Sequence, residues 1–270
     1  MMLLVLATTM AGAQDLTQYK QVIKHLSSAK YQGRGYAKDG ANKAGKYLQR
    51  EFEKAGECPN AGLIYTWEAP IKFFKAYGEK VVDKPILWVT PEAIDGVQRV
   101  KVFYAGANDN ASGTAAIVTL AAYYAKHRPP YDMYFITFSG EDANLRGSTW
   151  YAEHPIVPLN QIKYLFNIDM IGDNNPNQYC EVSDEGMRGY KLFERINAEK
   201  HHFKALHRGD LAANSDHYPF ATRHVPCIFL ENEKGDAFQY YHTIFDTYKT
   251  VRFDSYEPVF RLVRDFIEQY

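Results

Sequence analysis

The chain has 270 residues, of which 46% are hydrophobic and 23% are charged, and its formal net charge is −1. This length and balance are typical of a soluble globular protein built around one large domain. A net charge so close to zero creates no overall field toward nucleic acid or anionic lipid, so we expect neither as a partner.

The first thirteen residues are expected to be an export signal. Positions 2–10 are mostly apolar, and Ala11-Gly12-Ala13 has the small-residue spacing of a cleavage site, although no Lys or Arg precedes the apolar run. The run is too short to span a bilayer, and no later segment resembles a membrane span. We therefore expect a signal peptide at 1–13, a folded domain at 14–270, and an exported protein that is either periplasmic or secreted.

Helical and extended patterns follow one another along this domain. Apolar residues at three- and four-residue spacing predict helices over 15–26, 42–54, 113–126, 187–203 and 254–270. Apolar runs bounded by turn residues predict strands at 62–67, 85–90, 133–138, 164–168 and 225–230, with a further strand ending near Tyr104. Nearly continuous apolar strands that alternate with helices predict an α/β three-layer sandwich, in which helices cover both faces of a mostly parallel central sheet.

Three cysteines, Cys58, Cys180 and Cys227, lie far apart in the sequence. They form neither a metal-binding pattern nor an even-numbered disulfide framework. We expect structural roles for them, with room for one disulfide in an exported protein.

Acidic residues follow several of the predicted strands. Asp109, Glu141-Asp142 and Asp169 each come after a different strand, and His242 lies past the last one. Each acid alone has an ordinary alternative as a turn residue, a helix cap or a solvated loop charge. Sites of open α/β sheets form beyond the carboxyl ends of strands, and converging carboxylates repel unless a cation lies among them. The set therefore indicates a metal ion, and the nearby histidine favours zinc over magnesium or calcium.

Five strings in the sequence resemble the motifs of one enzyme family, the co-catalytic zinc aminopeptidases of peptidase family M28. The family motifs are GAxDNASG, FxGEExGLxGS, NxDMIG, SDHxPF and YHTxxDT. Their counterparts here are GANDNASG at 106–113, FSGEDANLRGS at 138–148, NIDMIG at 167–172, SDHYPF at 215–220 and YHTIFDT at 241–247. The segment 26–35 also resembles the opening of the family. The resemblance implies a zinc-dependent exopeptidase that removes N-terminal residues from peptides, on a fold of the phosphorylase/hydrolase type.

The resemblance also implies a role for each matched residue. Asp109 would bridge two zinc ions. Asp142 and His242 would bind one ion, and Asp169 would bind the other. Glu141 would be the catalytic general base, which takes a proton from a zinc-bound water and returns it to the leaving amine. Peptides are the expected substrates, and the sequence does not indicate an oligomeric state.

Two features depart from the family pattern. The family has an H-x-D on the strand before GAxDNASG, and its histidine binds the ion that Asp169 serves. Here VKVFYA precedes the loop at 100–105, and the chain contains no H-x-D. Residues 57–105 resemble a remnant of a protease-associated insert, from which the H-x-D strand is missing. Asp142 also stands where the family usually has a glutamate. We therefore expect one or two zinc ions, with at most one bound tightly, and weak aminopeptidase activity.

Two other functions stay open from the sequence. Glutaminyl cyclases related to this fold hold one zinc with an Asp, a Glu and a His, and Asp109, Asp142 and His242 offer a comparable set. The fold could also serve as a non-catalytic binding module. His217 is expected to support the site without binding metal. A set of aromatic residues is expected either to line a side-chain pocket or to pack in the core: Tyr218, Phe220, Phe238 and Tyr240.

Overall fold

The structure is a computed structural model, and it describes residues 10–35, 39–55, 65–66, 103–127, 131–232 and 238–270. Its α-helices are α1 (Met10–Leu26), α2 (Gly40–Ala55), α3 (Gly113–Tyr124), α4 (Arg146–Glu153), α5 (Met187–Lys200), α6 (Tyr218–Ala221) and α7 (Tyr256–Gln269). Its strands are β1 (Tyr65–Thr66), β2 (Ile136–Thr137), β3 (Leu165–Ile168), β4 (Gln178–Val182), β5 (Leu206–Gly209) and β6 (Cys227–Glu231). A kinked 3-10 helix, Ala29–Arg34, joins α1 to the start of α2.

The strands form two sheets in which most pairs are parallel. β1 pairs in parallel with β2, and the other four strands have the order β3-β6-β4-β5. Within this order β3 and β6 are parallel, β4 and β5 are parallel, and only the β4–β6 pair is antiparallel. The prediction of a mostly parallel α/β fold with helices on both faces is confirmed.

Apolar burial explains where the helices lie. α3 is apolar on most sides and is buried on most sides, as expected for a helix inside the core. α7 is amphipathic, and its buried face includes Val259, Val263 and Phe266. These helices share one continuous core with α1, α5 and β6, whereas α4 and α6 pack around Tyr151 and Phe220 in a second, smaller cluster.

The structure corrects several sequence-based boundaries. The strand expected to end near Tyr104 is not formed, because residues 103–106 have an irregular backbone. The strand expected at 133–138 is reduced to β2. Four elements were not predicted, namely α4, β4, β5 and α6. The strand expected at 85–90 and the proposed remnant at 57–105, except for 65–66 and 103–105, lie outside the described residues.

The N-terminal and cysteine predictions have different outcomes. Residues 1–9 lie outside the described residues, and α1 begins at Met10, so the expected cleavage site stays a prediction. None of the helices in the described part of the chain is long and apolar enough to cross a membrane. Cys180 and Cys227 are buried free thiols, so no disulfide joins these two, and Cys58 lies outside the described residues.

A cavity of about 1030 Å³ lies beside the segments that contain β2 and β3. Residues 133–138 and 164–168 line it without a gap in either run. Side chains alternate between the faces of a strand, so consecutive residues line a cavity only where it runs along the edge of the strand. The cavity therefore runs along β2 and β3, which do not pair with each other among the described residues.

Candidate metal and catalytic site

The loop between Ala105 and α3 carries Asp109. Gly106 has a left-handed backbone with φ of 57°, and the Asp109–Asn110 peptide bond is cis. Asn110 Nδ2 donates a hydrogen bond of 3.2 Å to Ile168 O, which fixes this loop to the end of β3. The loop thus places Asp109 beside the residue that follows β3, Asp169.

A buried carboxylate holds the amides of the same loop. Asp246 is 2% exposed. Its Oδ1 accepts a hydrogen bond of 2.8 Å from Asn108 N, and its Oδ2 accepts one of 2.9 Å from Asp109 N. Ala107 N also donates to Asp246 O at 3.3 Å. Asp246 lies four residues after His242, so it connects the loop of Asp109 to the turn of His242.

An arginine holds the carbonyls of this loop from the other side. Arg34 Nη1 donates to Leu26 O at 3.2 Å and to Ala105 O at 2.8 Å. Arg34 Nη2 donates to Gly106 O at 2.7 Å and to Asp109 O at 3.3 Å. One guanidinium group therefore binds three carbonyls of the segment 105–109 and the carbonyl at the end of α1.

Glu141 and Asp142 lie in the tight loop that follows β2. Gly140 has a φ of 73°. Leu145 N donates to Glu141 O at 2.9 Å, and Gly147 N donates to Ser139 O at 3.0 Å. These bonds close the loop and place both carboxyl groups along the cavity that Asp109 and Asp169 also line.

Asp169 follows β3 and is 8% exposed. Ser215 Oγ donates to its Oδ2 at 2.8 Å, and Asn167 Nδ2 donates to Ser215 Oγ at 2.7 Å. Its other oxygen, Oδ1, is buried and has no hydrogen-bond partner among the described residues. An orphaned carboxylate oxygen at this position is an available electron-pair donor.

His242 completes the set of residues that the sequence predicted. Its Nε2 lies 3.3 Å from Asp109 Oδ2. The ring stacks on Tyr241, with 3.7 Å between ring centroids. Its hydrogen bond with Asp109 raises the pKa of His242 above its ordinary value, against the opposing effect of partial burial.

Burial and mutual repulsion raise the proton affinity of the acids. Burial, followed by the charges of Asp169 and its neighbours, raises the pKa of Glu141 to about 9. Burial and the charge of Asp109 raise the pKa of Asp169 to about 8. The same two causes raise the pKa of Asp142. A cation among these groups would oppose the shifts, because a nearby positive charge favours the ionised carboxylate.

The structure thus places four of the five residues that the sequence singled out along one cavity and the fifth against Asp109. Asp109, Glu141, Asp142 and Asp169 line one cavity, and His242 is in contact with Asp109. Their assignment as general base and ligands stays a prediction.

The donors fit zinc in their chemistry, although their side chains do not converge. Carboxylates and an imidazole are ligands that zinc accepts, and the buried Asp169 Oδ1 lacks any other partner within the described part of the chain. As the side chains are placed, the described ranges contain no group of three His, Cys, Asp or Glu residues able to hold a metal ion. Binding would therefore need side-chain movement, beginning with the contact between Asp109 and His242.

Other polar residues of the site were not predicted from sequence. Burial and the charge of Asp169 raise the pKa of Glu231, at the end of β6, to about 9. Arg34 and Asp246 were noticed only as letters of two motif strings. In the sequence, Arg34 is recognisable as a charged residue inside a glycine-rich turn. Asp246 is recognisable as an aspartate four residues after the candidate ligand His242.

The structure also locates two residues that the sequence left open. His217 is completely buried and stacked on Phe229, and its Nε2 lies 3.4 Å from Glu181 Oε2. The expectation that His217 supports the site without binding metal stays a prediction. Phe220 is 1% exposed and belongs to the smaller core cluster.

Comparison with known proteins identifies the family of this chain. The model of peptidase family M28 matches residues 92–267, which is more than half of the chain. Aminopeptidase YwaD of Bacillus subtilis (strain 168) is 29% identical over 148 residues, which are 52% of this chain and 32% of the relative. An aminopeptidase of Pseudomonas aeruginosa (strain UCBPP-PA14) is 37% identical over 89 residues, which are 31% of this chain and 16% of the relative. The chain therefore matches about a third or less of the length of these relatives.

Solved structures share the fold. The LapA aminopeptidase of Legionella pneumophila is similar with a TM-score of 0.65 and 17% identity, over 98% of this chain and 74% of that chain. A glutaminyl cyclase of Porphyromonas gingivalis is similar with a TM-score of 0.66 and 15% identity, over 94% of this chain and 98% of that chain. From the match to the family model, with the acids of its motifs gathered along one cavity, we conclude that the chain belongs to peptidase family M28.

Proposed function

We propose that the protein is a zinc-dependent aminopeptidase that removes N-terminal residues from peptides. The observation that carries this proposal is the gathering of Asp109, Glu141, Asp142 and Asp169 along one cavity with His242 against Asp109, in a chain of family M28. The aminopeptidases among its relatives support the choice of reaction.

The proposed ligands serve two potential ions unequally. Asp109, Asp142 and His242 supply three donors for one ion, the number that a catalytic zinc site uses. A second ion would have only two protein donors, Asp169 and the shared Asp109. Two carboxylates without an imidazole form a weak zinc site. We therefore propose one tightly bound zinc, and activity below that of relatives that have the H-x-D segment.

Proton transfer is assigned to Glu141. Bound zinc would polarise the scissile carbonyl and make water a stronger acid. Glu141 accepts the proton of the attacking water on a carboxylate oxygen and then delivers it to the leaving amine nitrogen. Besides Glu141, the other carboxylates that line the cavity can bind the positively charged amino terminus of a peptide.

Turnover by the zinc-loaded chain tests this function. We expect slow release of the anilide from an aminoacyl-anilide, with no cyclisation of a peptide that begins with glutamine. Cyclisation without hydrolysis would instead support a single-zinc glutaminyl cyclase, a function suggested by the cyclase of similar fold. Neither reaction would indicate a non-catalytic binding module.

Export is a further part of the proposal. The apolar segment 1–13 with its small-residue cleavage pattern supports an exported protein, periplasmic or secreted. Mass spectrometry of the protein recovered from the producing cell tests it, because export by this route predicts an N-terminus at Gln14.

A further inference from the structure

The loop that carries Asp109 is bound from two sides by opposite charges. Arg34 donates to the carbonyls of Ala105, Gly106 and Asp109, and Asp246 accepts from the amides of Asn108 and Asp109. A guanidinium group has only donors and a carboxylate has only acceptors, so each partner matches the backbone groups that it faces. Together they satisfy five polar groups of one short segment, whose helical backbone is interrupted at Asp109 and Asn110.

The close approach of Arg34 depends on the residue opposite it. Gly106 adopts φ of 57°, and a Cβ at this position would lie 2.5 Å from Arg34 Nη2 and would also collide with Asp109 O. Gly33, next to Arg34, has φ of 77°, and a Cβ there would lie 2.5 Å from Tyr104 O. Both glycines are thus required where the two segments touch, which ties the turn at 29–34 to the loop at 105–109.

Asp246 links this loop to the turn of His242. Its side chain holds two amides of the loop, while its own amide donates to Thr243 O at 3.3 Å. The position of His242 relative to Asp109 therefore depends on a residue that contacts both segments. The 3.3 Å separation of His242 Nε2 from Asp109 Oδ2 is the result of this arrangement.

We propose that Arg34 and Asp246 act as a clamp that positions Asp109 against His242 and so sets the affinity of the site for zinc. The proposal rests on the proposed function for its zinc-binding part. Neither residue is a metal ligand in this account, and both act through the backbone of the loop. Partners of ligand-bearing groups typically contribute 10- to 100-fold to metal affinity.

Arg34→Lys separates positioning from charge. Lysine keeps the positive charge near Asp109 and Asp142, but its single nitrogen cannot reproduce the planar fork that binds two pairs of carbonyls. Asp246→Asn tests the other side, because its amide group keeps only one oxygen for two backbone donors. The matched controls are Arg252→Lys and Asp254→Asn, which alter an exposed ion pair with side chains 61% and 67% exposed.

The experiment combines zinc titration by calorimetry with amide hydrogen exchange at 107–111, both on the folded full chain. We expect Arg34→Lys and Asp246→Asn each to weaken zinc binding by about 10- to 100-fold. We also expect faster exchange at Asn108 and Asp109 in both variants, and no change in either control. A lower melting temperature with unchanged zinc affinity and unchanged local exchange would overturn the proposal, because it would show a merely structural role.

The two readouts distinguish failure of the clamp from failure of the proposed function. If the unaltered chain binds no zinc but Arg34→Lys accelerates exchange at Asn108 and Asp109, the zinc-binding function is wrong and the positioning of the loop stands. If zinc binds but exchange and affinity are unchanged in both variants, the clamp is wrong. Should Arg34→Lys fail to fold, Asp246→Asn gives the same pair of readouts.

Discussion

At the scale of single residues, the acids of the site have different surroundings, and these surroundings suit different chemical roles. Burial, followed by the charge of Asp169, raises the pKa of Glu141 to about 9, whereas Asp109 is held by its backbone beside the imidazole of His242. A group that must receive and return a proton and a group that must donate electron pairs need such different settings.

Replacing Glu141 by glutamine tests the assignment of the base. The amide cannot accept the proton of water, so we expect the turnover number to fall by about 100-fold or more, while zinc binding stays nearly unchanged. Steady-state kinetics and bound zinc per chain measure the two quantities. Unchanged turnover would refute Glu141 as the base, and loss of zinc would place it among the ligands.

Gly106→Ala tests the tight approach of the loop to Arg34. A side chain at φ of 57° is strained and its Cβ would collide with Asp109 O, so we expect the free energy of unfolding to fall by about 1–3 kcal/mol. Gly45→Ala in α2 is the control, because a Cβ there meets nothing within 4 Å and alanine favours a helix. Urea denaturation of both variants measures the free energy of unfolding. A Gly106→Ala protein as stable as the parent would show that the loop can move away from Arg34 without cost.

At the scale of elements, a buried aspartate joins two helices of the core. Asp265 in α7 is 1% exposed. His202 Nε2 and Lys200 Nζ lie 2.8 and 3.0 Å from its Oδ2, and Arg264 Nη2 donates to its Oδ1 at 2.7 Å. Burial alone would raise the pKa of Asp265, but its bonds to Arg264, Lys200 and His202 outweigh burial and lower this pKa.

Asp265→Asn should therefore destabilise the protein in a pH-dependent way. A lowered pKa means that the folded state favours the ionised carboxylate, so the stabilisation is present above the ordinary aspartate pKa and is lost as the pH falls through the lowered value. We expect a loss of about 2 kcal/mol near neutral pH, and a smaller difference from the parent below about pH 4. Urea denaturation at both pH values measures it, with the exposed Glu268→Gln as control; a pH-independent difference would contradict this account.

The elements that could be predicted from sequence are those with a strong apolar pattern. α1, α2, α3 and α7 were predicted with boundaries within a few residues, since each buries a stripe of aliphatic and aromatic side chains. β4 was missed because Gln178 and Glu181 are polar and yet completely or nearly completely buried. Polar residues at such positions predict a loop when only the sequence is considered. The tertiary structure shows which hydrogen-bond partners offset the cost of burying them.

The candidate site was predictable for a different reason. Its five residues lie in the family's motif strings, and Asp169 and the pair Glu141-Asp142 follow β3 and β2 within a few residues, at the end of a strand where sites of open α/β sheets form. The clamp of Arg34 and Asp246 joins segments far apart in the chain through backbone groups. No pattern of side chains records such contacts, and for this reason the sequence did not reveal them.

At the scale of the whole molecule, the strands of the described residues fall into two sheets. β2 belongs to one sheet and β3 to the other, and both line the cavity along which four of the candidate site residues lie. From the sequence we expect that an H-x-D strand is missing next to the Asp109 loop, and this stays a prediction. Asp109 itself lines the cavity, so the expected place of the missing strand lies beside it.

A variant in which an H-x-D strand is restored before the Asp109 loop tests this view of the molecule. Packing of the added strand beside the Asp109 loop would bury apolar surface, and the added histidine would give the second ion an imidazole ligand. We expect a higher melting temperature and faster hydrolysis than in the parent chain, measured by calorimetry and by anilide release. A matched insert with alanine in place of the histidine should restore stability alone; gains in neither property would count against the missing strand.

The amount of zinc bound per chain after exhaustive dialysis tests the central claim most directly. In the proposed assignment Asp109, Asp142 and His242 are the donors for one ion, and Asp169 with the shared Asp109 is too small a set to hold another. We expect one zinc per chain, which His242→Ala should remove. Two zinc ions per chain with full peptide hydrolysis would show that another residue replaces the missing histidine, and no bound zinc would contradict the assignment of the site.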